Sequence, residues 1–279
     1  GSDEQKVGAL YSSYMDMDTR NSLGVKPLDA EFAKVQALEN HEQLAVYFAE
    51  ANKTGIDLPF ALAQYVDFKD PNTYMMYTWQ AGLGLPDREY YFNEDEKSVE
   101  IREAYVAHMQ KMFELAGMAN ATDAAKLIMA LETHMAAEHM KKEQTRDMVA
   151  LYNKLSLDEL PDLMPDFAWD SYLSTAAIDG IDGLVITQLD YMRALNDIIK
   201  DTSMDDWKTY LTWKVLNANA HLLNEELDLQ NFDFYSKTLR GIEQPLPRWK
   251  RAVANVNNNL GEVVGKVYVS RHFPPEAKQ

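Results

Sequence analysis

Residues 245–275 read PLPRWKRAVANVNNNLGEVVGKVYVSRHFPP and carry the most specific helix pattern in this chain. Apolar side chains recur there at spacings of three and four, which places them along one side of an α-helix. The members of this apolar stripe are Trp249, Val253, Val256, Leu260, Val263 and Val267. The spacing therefore predicts a long amphipathic helix whose stripe is buried against a neighbour.

Two glycines in the same stretch indicate where that neighbour packs. Gly261 and Gly265 lie four residues apart and remove side-chain bulk from one line of the helix, although each glycine weakens the helix itself. We therefore expect a second backbone to approach closely at this line. Pro274 and Pro275 cannot continue a helix, so the helix is predicted to end before them.

Most of the remaining chain also has helical periodicity. Gly24 and Pro27 interrupt the opening helices, and Gly117 and Gly241 stand at predicted helix ends. The predicted helices cover residues 3–19, 29–51, 94–117, 122–140, 187–200, 203–223 and 224–241. The fold is therefore predicted to be mainly α. At 279 residues the chain can form one large multi-helix domain or two closely packed lobes.

Residues that cap these helices can also be read from the sequence. Asn120 or Thr122 is expected to cap the helix that runs toward Met140, and Thr202 or Ser203 is expected to cap the helix that begins after it. These side chains accept hydrogen bonds from the free N–H groups of a first helical turn.

A small β-hairpin near residues 60–80 is the main exception to the helical pattern. FALAQYV and TYMMYTWQ are rich in aromatic and other apolar residues, and Lys69-Asp70-Pro71-Asn72 between them is typical of a turn. Residues 184–186 read LVI and are a candidate short strand. The region after Asn153 is expected to be compact and irregular, with Ser156 and Glu159 spaced as a capping box.

Composition excludes several classes of function. The 27 basic and 44 acidic side chains give a formal charge of −17, which repels the phosphates of nucleic acid and anionic lipid. The chain has no cysteine, so disulfides, thiol nucleophiles and cysteine metal clusters are ruled out. No apolar run approaches the length of a membrane span. The remaining classes are those of a globular acidic protein.

A metal centre of the HExxH type is also missing from the histidine pattern. Such a site needs two histidines four residues apart on one helix, so that both rings reach one ion. The six histidines are His41, His108, His134, His139, His221 and His272, and no pair has that spacing. His134 and Glu138 are correctly spaced, but two ligands without a third are more often an ordinary helical contact. We therefore predict no catalytic, cofactor-binding or metal-binding residue in this chain.

Two other motifs invite functional interpretations. Gly82-Leu83-Gly84 begins like a dinucleotide-binding loop, but Pro86 and Asp87 follow it, so a turn is the favoured interpretation. For residues 146–147 and 152–153, an Arg–Asp ion pair and an asparagine that fixes a loop are favoured over substrate contact.

Three blocks of sequence resemble the neprilysin-like zinc metallopeptidases of family M13. They are GLGLPDREYYF at 82–92, RDMVALYNKLSLDELPDLMPDFAWDSYL at 146–173, and the stretch at 245–275 quoted above. They stand in the family's order, and the resemblance extends from about Asp3 to Lys278. In that family these blocks belong to the non-catalytic helical part, and the zinc-binding part with HExxH and a later carboxylate ligand follows them.

The resemblance implies that two parts of the chain have different roles. Residues 1–244 would be the helical domain that encloses substrate, and residues 245–279 would be an amphipathic helix leading toward the catalytic domain. Zinc would be held by that catalytic domain, so this chain alone is expected to be inactive. The implied partners are the protein's own catalytic domain and peptide substrates.

The resemblance also implies a location, and one alternative function remains open. Relatives of this cysteine-free kind are periplasmic or extracellular, and lipid anchoring of the parent is left open. The alternative is a stand-alone helical binding or scaffold protein that kept this domain and lost the catalysis.

Overall fold

The computed structural model describes residues 2–274 and Glu276. The chain forms two compact units. The smaller unit combines the described residues of 1–26 and 220–279, and the larger unit is residues 27–219. The predicted mainly α fold with a small β component is confirmed.

The order of the elements follows the predicted rhythm closely. The helices and strands are α1 (Asp3–Met15), α2 (Met17–Leu23), α3 (Asp29–Gln36), α4 (His41–Lys53), β1 (Phe60–Val66), β2 (Tyr74–Gln80), α5 (Glu89–Phe92), α6 (Glu96–Leu115), α7 (Ala121–Glu138), β3 (Asn153–Ser156), α8 (Leu160–Leu163), α9 (Trp169–Ala176), β4 (Gly183–Ile186), α10 (Leu189–Asp201), α11 (Met204–Asn219), α12 (Glu225–Phe232) and α13 (Arg248–His272). A π-helical turn, Asp233–Thr238, extends α12. Each opening segment is split into two helices, at Asp16 and at residues 37–40.

The predicted hairpin is confirmed, and it belongs to a four-stranded sheet of order β1-β2-β4-β3. β1 and β2 pair antiparallel from Phe60 with Gln80 to Val66 with Tyr74. The turn is held by Asp70, whose carboxylate accepts hydrogen bonds from the Asn72 amide at 3.0 Å and the Thr73 hydroxyl at 2.6 Å. β4 confirms the candidate strand at residues 184–186.

β3 lies in the region that was expected to be irregular, and that expectation was wrong for the strand Asn153–Ser156 and for the helix α9, Trp169–Ala176. The strand has few apolar residues of its own and exists because β4 pairs with it antiparallel. Immediately after it, the Ser156–Glu159 capping box is present as predicted, with the Glu159 carboxylate accepting from the Ser156 amide at 2.8 Å.

The core of the larger unit is built around aromatic rings from distant segments. Phe60 of β1 contacts Phe48 of α4 and Phe167 with ring centroids 6.4 and 5.6 Å apart. Trp207 of α11 adds an edge-on contact with Phe48 at 5.8 Å. Such pairs contribute about 0.5–1.5 kcal/mol each beyond the burial of their area. These contacts join the helices of the larger unit to the start of the hairpin.

The predicted helix boundaries are met in most cases. The Ser203 hydroxyl accepts from the Asp206 amide at the start of α11, and Gly117 takes a left-handed φ of 70° after α6. Asn120 does stand at the start of α7, but its own φ is 58° and its side chain makes no capping bond. Capping by the Asn120 side chain was therefore a wrong prediction.

The smaller unit is held together by buried arginine contacts. The Arg20 guanidinium donates to the carbonyl oxygens of Leu223 at 2.9 Å and His221 at 2.8 Å. Arg251 of α13 pairs with Asp228 of α12. The Arg20 bonds tie α2 to the segment before α12, and the Arg251 pair ties α12 to α13.

The apolar stripe of α13 is largely exposed, which corrects the predicted burial. Trp249 is 52% and Val253 is 42% exposed, whereas Val256 is only 5% exposed. Within the unit α13 packs on α1, and a 13-residue helix cannot cover a 25-residue one. Apart from the adjacent residues and the helix's own backbone, no described atom lies within 4 Å of a Cβ added at Gly261 or Gly265, so the expected close approach of a second backbone is absent among the described residues.

The end of α13 agrees with the prediction as far as the structure describes it. The helix ends at His272, two residues before Pro274. Pro275 lies outside the described residues. Leu260 has a non-helical backbone inside the helix, which marks a kink next to the first glycine.

Candidate functional site

The glycine-rich loop at residues 82–85 is fixed by close contacts that leave no room for a side chain at Gly82 or Gly84. Gly82 has a φ of 87°, and a Cβ there would lie 2.7 Å from both the Pro59 Cα and the Tyr210 hydroxyl. A Cβ on Gly84 would overlap the hydroxyl of Tyr105. Both glycines are therefore required by the packing of the loop. The favoured interpretation of Gly82-Leu83-Gly84 as a structural turn is supported.

A buried carboxylate, Glu132 of α7, organises this loop. One oxygen accepts from the Tyr91 hydroxyl at 2.7 Å and from the Gly84 amide at 3.0 Å. The other accepts from the Tyr105 hydroxyl at 3.2 Å. Complete burial raises the pKa of Glu132, although Lys214 and these donors act in the opposite direction. Three hydrogen-bond donors from separate segments thus converge on one side chain.

The charge of Glu132 is balanced by Lys214 of α11, which is also buried. Its ammonium lies 3.5 Å from Glu132 Oε1 and 3.0 Å from Asp57 Oδ2. Burial alone would lower the pKa of Lys214, but the two carboxylates outweigh it and the pKa is raised. Lys214 therefore remains a cation and is unsuited to act as a base or nucleophile. The cluster of Asp57, Tyr91, Glu132 and Lys214 is called the Glu132 cluster below.

The sequence contains a signal for this cluster in its helical periodicity. Glu132 lies four residues after Ile128 and three before Met135. Lys214 lies four residues after Tyr210 and three after Leu211, so apolar positions surround both charges on one helix face. A charged side chain on the inner face of an apolar helix is rarely buried unless it is paired. Two such charged residues of opposite sign indicate a buried ion pair, but the spacing does not show which residues form it.

A cavity of about 280 Å³ lies beside the cluster, between the glycine loop and the end of α7. Arg88 crosses its wall, donating from Nε to the Ala136 carbonyl at 3.1 Å and pairing with Glu89 at 3.0 Å. His139 also lines the cavity, and burial lowers its pKa to about 4, so the ring is neutral at physiological pH. Polar and apolar residues line the cavity in about equal measure, and the Arg88 guanidinium already bonds to the end of α7.

The histidine and carboxylate pair considered for metal binding lies on the surface. His134 and Glu138 are both exposed on α7. Across residues 2–274 and Glu276, no group of three histidine, aspartate or glutamate side chains is arranged to hold a metal ion. The described residues therefore do not fit a zinc centre of the kind that needs three protein ligands.

Of the two structural roles predicted for residues 146–153, one is supported and the other is not. The Asn153 side chain donates to the carbonyls of Ala150 at 2.9 Å and Ile186 at 3.0 Å, so the predicted loop-fixing role is supported. The Asp147 carboxylate instead accepts from the backbone amides of Val149 and Ala150, both at 3.1 Å. The predicted Arg146–Asp147 ion pair is not formed, because local backbone donors occupy the carboxylate.

The chain is similar to several known peptidases. Mouse membrane metallo-endopeptidase-like 1 is 28% identical over 258 residues, which are 86% of this chain and 33% of that protein. Mouse endothelin-converting enzyme 1 is 26% identical over 227 residues, which are 78% of this chain and 29% of that protein. The cryo-EM structure of Mycobacterium tuberculosis zinc metalloprotease Zmp1 in its open state aligns with a TM-score of 0.93 and 33% identity, covering 100% of this chain and 44% of that one.

The chain thus spans about a third of the curated relatives it matches. Among its described helices, none combines the length and the apolar character needed to cross a lipid bilayer. The model of peptidase family M13 that covers the family's N-terminal part matches residues 1–279. Together with the whole-chain alignment to Zmp1, this match shows that the chain belongs to peptidase family M13.

Proposed function

We propose that this chain is the non-catalytic N-terminal part of a zinc metalloendopeptidase and forms one wall of the chamber that encloses peptide substrates. The observation that carries the proposal is the alignment of the entire chain, at a TM-score of 0.93, with less than half of a zinc metalloprotease. The remaining part of such a protein would supply the metal and the hydrolytic groups.

The chemistry of the described residues supports a structural role. The buried Lys214 is held as a cation by two carboxylates, and the buried His139 is neutral and shielded. The polar groups of the Glu132 cluster bond to one another and to the glycine loop, which they hold in place. Zinc, if held by the parent protein, would polarise a water for attack on the peptide bond. The residues of this chain would position and enclose the substrate around that centre.

The exposed face of α13 supports the proposed division at about residue 245. Trp249 and Val253 are half exposed although their spacing is that of a buried stripe. An apolar face of this kind is typical of an interface with another domain. We infer that residues 245–279 lead toward the protein's own catalytic domain, which covers this face.

A periplasmic or extracellular location also belongs to this proposal. It follows from the relationship to a family with a membrane metallo-endopeptidase-like member. The alternative function, a stand-alone helical scaffold, has no observation in its favour.

Peptide hydrolysis by two polypeptides tests the proposal. One is this chain, and the other is the reading frame extended through any segment that encodes HExxH. Both are incubated with a mixture of unstructured peptides, with zinc or with a chelator, and cleavage is followed by mass spectrometry. We expect zinc-dependent cleavage by the extended polypeptide and none by this chain. Cleavage by the chain alone after metal-free purification would contradict the proposal.

A further inference from the structure

The strand β1 forms an open edge of the sheet in the larger unit. Among the residues that the structure describes, its one strand neighbour in the sheet order β1-β2-β4-β3 is β2. A strand at the edge of a sheet presents one row of backbone N–H and C=O groups that no other strand pairs.

Two hydrogen bonds that flank the hairpin ladder show which residues form that row. The Ala81 amide donates to Pro59, and the Asp67 amide donates to Thr73, both across β1 and β2. In an antiparallel ladder, residues that bond to the partner strand alternate with residues that point away from it. The odd-numbered residues of β1 therefore face β2, and the even-numbered residues present their backbone groups outward.

Only the second half of this outward row is available. The Leu62 carbonyl accepts a bond from the Asn52 side chain at 3.0 Å, and Phe60 is buried. Gln64 and Val66 are exposed. Their two N–H and two C=O groups face solvent at a spacing of about 7 Å, twice the rise per residue of a strand.

Exposed apolar side chains flank the free groups on both faces of the sheet. Tyr65 is 58% exposed on one face, where its ring lies 5.9 Å from that of Phe68. On the opposite face Val66 pairs with Tyr74, which is 64% exposed. An extended chain laid along this edge would find an apolar contact for its side chains on each face.

The edge also lacks the features that usually prevent strand addition. Residues 60–66 read FALAQYV and contain no proline, no lysine and no other charge. Proteins commonly protect an edge with such residues. The chemistry that complements alternating N–H and C=O groups at this spacing is that of another extended polypeptide.

We propose that the edge of β1 at residues 64–66 binds an extended peptide segment by strand addition. The segment forms up to four backbone hydrogen bonds with Gln64 and Val66 and places aromatic or β-branched side chains beside Tyr65 and Tyr74. The identification of this peptide as a substrate held away from the catalytic centre rests on the proposed function. The binding itself does not.

Three synthetic peptides test the proposal with this chain. All carry the sequence Lys-Val-Thr-Tyr-Thr-Val-Lys with blocked ends, in which the lysines prevent self-association. One is unmethylated, the second is N-methylated on alternate residues and keeps the N–H groups of one edge, and the third is N-methylated on every residue and has no N–H group on either edge. Binding is followed by NMR, through hydrogen exchange of the Gln64 and Val66 amides. We expect the unmethylated and the alternately methylated peptides to slow this exchange, and the fully methylated peptide to leave it unchanged.

The two methylated peptides should differ at least tenfold in affinity, because one of them cannot donate the bonds that β1 accepts. Val66→Pro should weaken binding by about fivefold, since it removes one outward N–H and no ladder bond. Retained protection of the Ala63 and Tyr65 amides shows that the variant keeps its hairpin. Tyr65→Ala should weaken binding without changing which methylated peptide binds.

Three outcomes would overturn the inference. The first is equal affinity of the two methylated peptides. The second is that the peptide slows hydrogen exchange only at amides outside residues 64–66. The third is that, without any peptide, exchange of the Gln64 and Val66 amides slows as the protein concentration rises. The last would assign the edge to a second copy of the chain. A failure here leaves zinc-dependent hydrolysis by the extended polypeptide untouched, so it is distinguishable from a failure of the proposed function.

Discussion

The glycine loop at residues 82–85 and the helix α13 both stand out in the sequence, but their surroundings in the structure are opposite. The loop is enclosed by Glu132, Tyr91 and Tyr105, which come from the three helices α7, α5 and α6. The stripe of α13 is half exposed. The comparison teaches that a motif shows which surface is suited to contact, whereas other segments decide whether the contact is made within this chain.

The largest expected effect concerns the buried ion pairs of the Glu132 cluster. Lys214→Met leaves two carboxylates without their cation, and removal of one partner from a buried pair costs about 3–5 kcal/mol. We expect that loss in the free energy of unfolding, measured by urea denaturation and tryptophan fluorescence. Four of the five tryptophans lie in the larger unit, so the signal reports on it.

Lys266→Met is the matched control for Lys214→Met. Lys266 of α13 also pairs with an acid, Asp3, at 3.3 Å, but its side chain is 78% exposed. An exposed pair contributes about 0–1 kcal/mol. Equal losses from the two substitutions would show that burial does not distinguish the two regions.

The second prediction compares one methyl group in each region. Gly84→Ala forces a Cβ into the Tyr105 hydroxyl and disturbs the bonds to Glu132, so we expect a loss of about 3 kcal/mol in urea denaturation. Gly261→Ala meets no atom within 4 Å and should stabilise α13 by up to about 1 kcal/mol. Thermal unfolding followed by circular dichroism measures the second effect. A loss from Gly261→Ala would indicate a packing contact that the described residues do not show.

The third prediction concerns acid stability of the larger unit. Burial lowers the pKa of His108 from 6.5 to about 3 and that of His139 from 6.5 to about 4. Below pH 6.5 the unfolded chain binds protons at these histidines and the folded chain does not, so stability falls with pH until the folded pKa is reached. Each histidine should remove about 2 kcal/mol between pH 6.5 and 5.

His108→Gln should reduce this pH dependence by about half, whatever it does to stability at neutral pH. Urea denaturation at a series of pH values measures the slope. His134→Gln is the control, because His134 is exposed on α7 and should leave the slope unchanged. An unaltered slope in His108→Gln would show that His108 is not the source of the acid sensitivity.

The smallest expected effect lies on α13. Trp249→Ser and Val253→Ser should each change the stability of this chain by no more than about 0.5 kcal/mol, because both side chains are already half exposed. Val256→Ser should cost clearly more, since Val256 is buried. In the extended polypeptide, Trp249→Ser should become destabilising if the catalytic domain covers this face. If Trp249→Ser left the stability of both this chain and the extended polypeptide unchanged, that result would argue against the catalytic domain as the partner of this face.

Much of the architecture could be predicted because it depends on short-range signals. The hairpin followed from two apolar runs and the turn at Asp70, and the helix ends at Gly117 and Ser203 followed from capping chemistry. β3 could not be predicted, because its residues form a strand only when β4 lies beside them. The predicted Arg146–Asp147 pair is missing for a local reason, since the Asp147 carboxylate accepts from the backbone amides of Val149 and Ala150 instead.

The amino-acid sequence by itself determined the helical rhythm, the hairpin, the acidic charge and the order of the family's blocks, because these properties act within a few residues or need no geometry. Only the tertiary structure decided that Glu132 meets Lys214, that the stripe of α13 remains exposed and that Gln64 and Val66 form a free edge. Those outcomes depend on which distant segments come together, and burial is a property of that assembly rather than of any one segment.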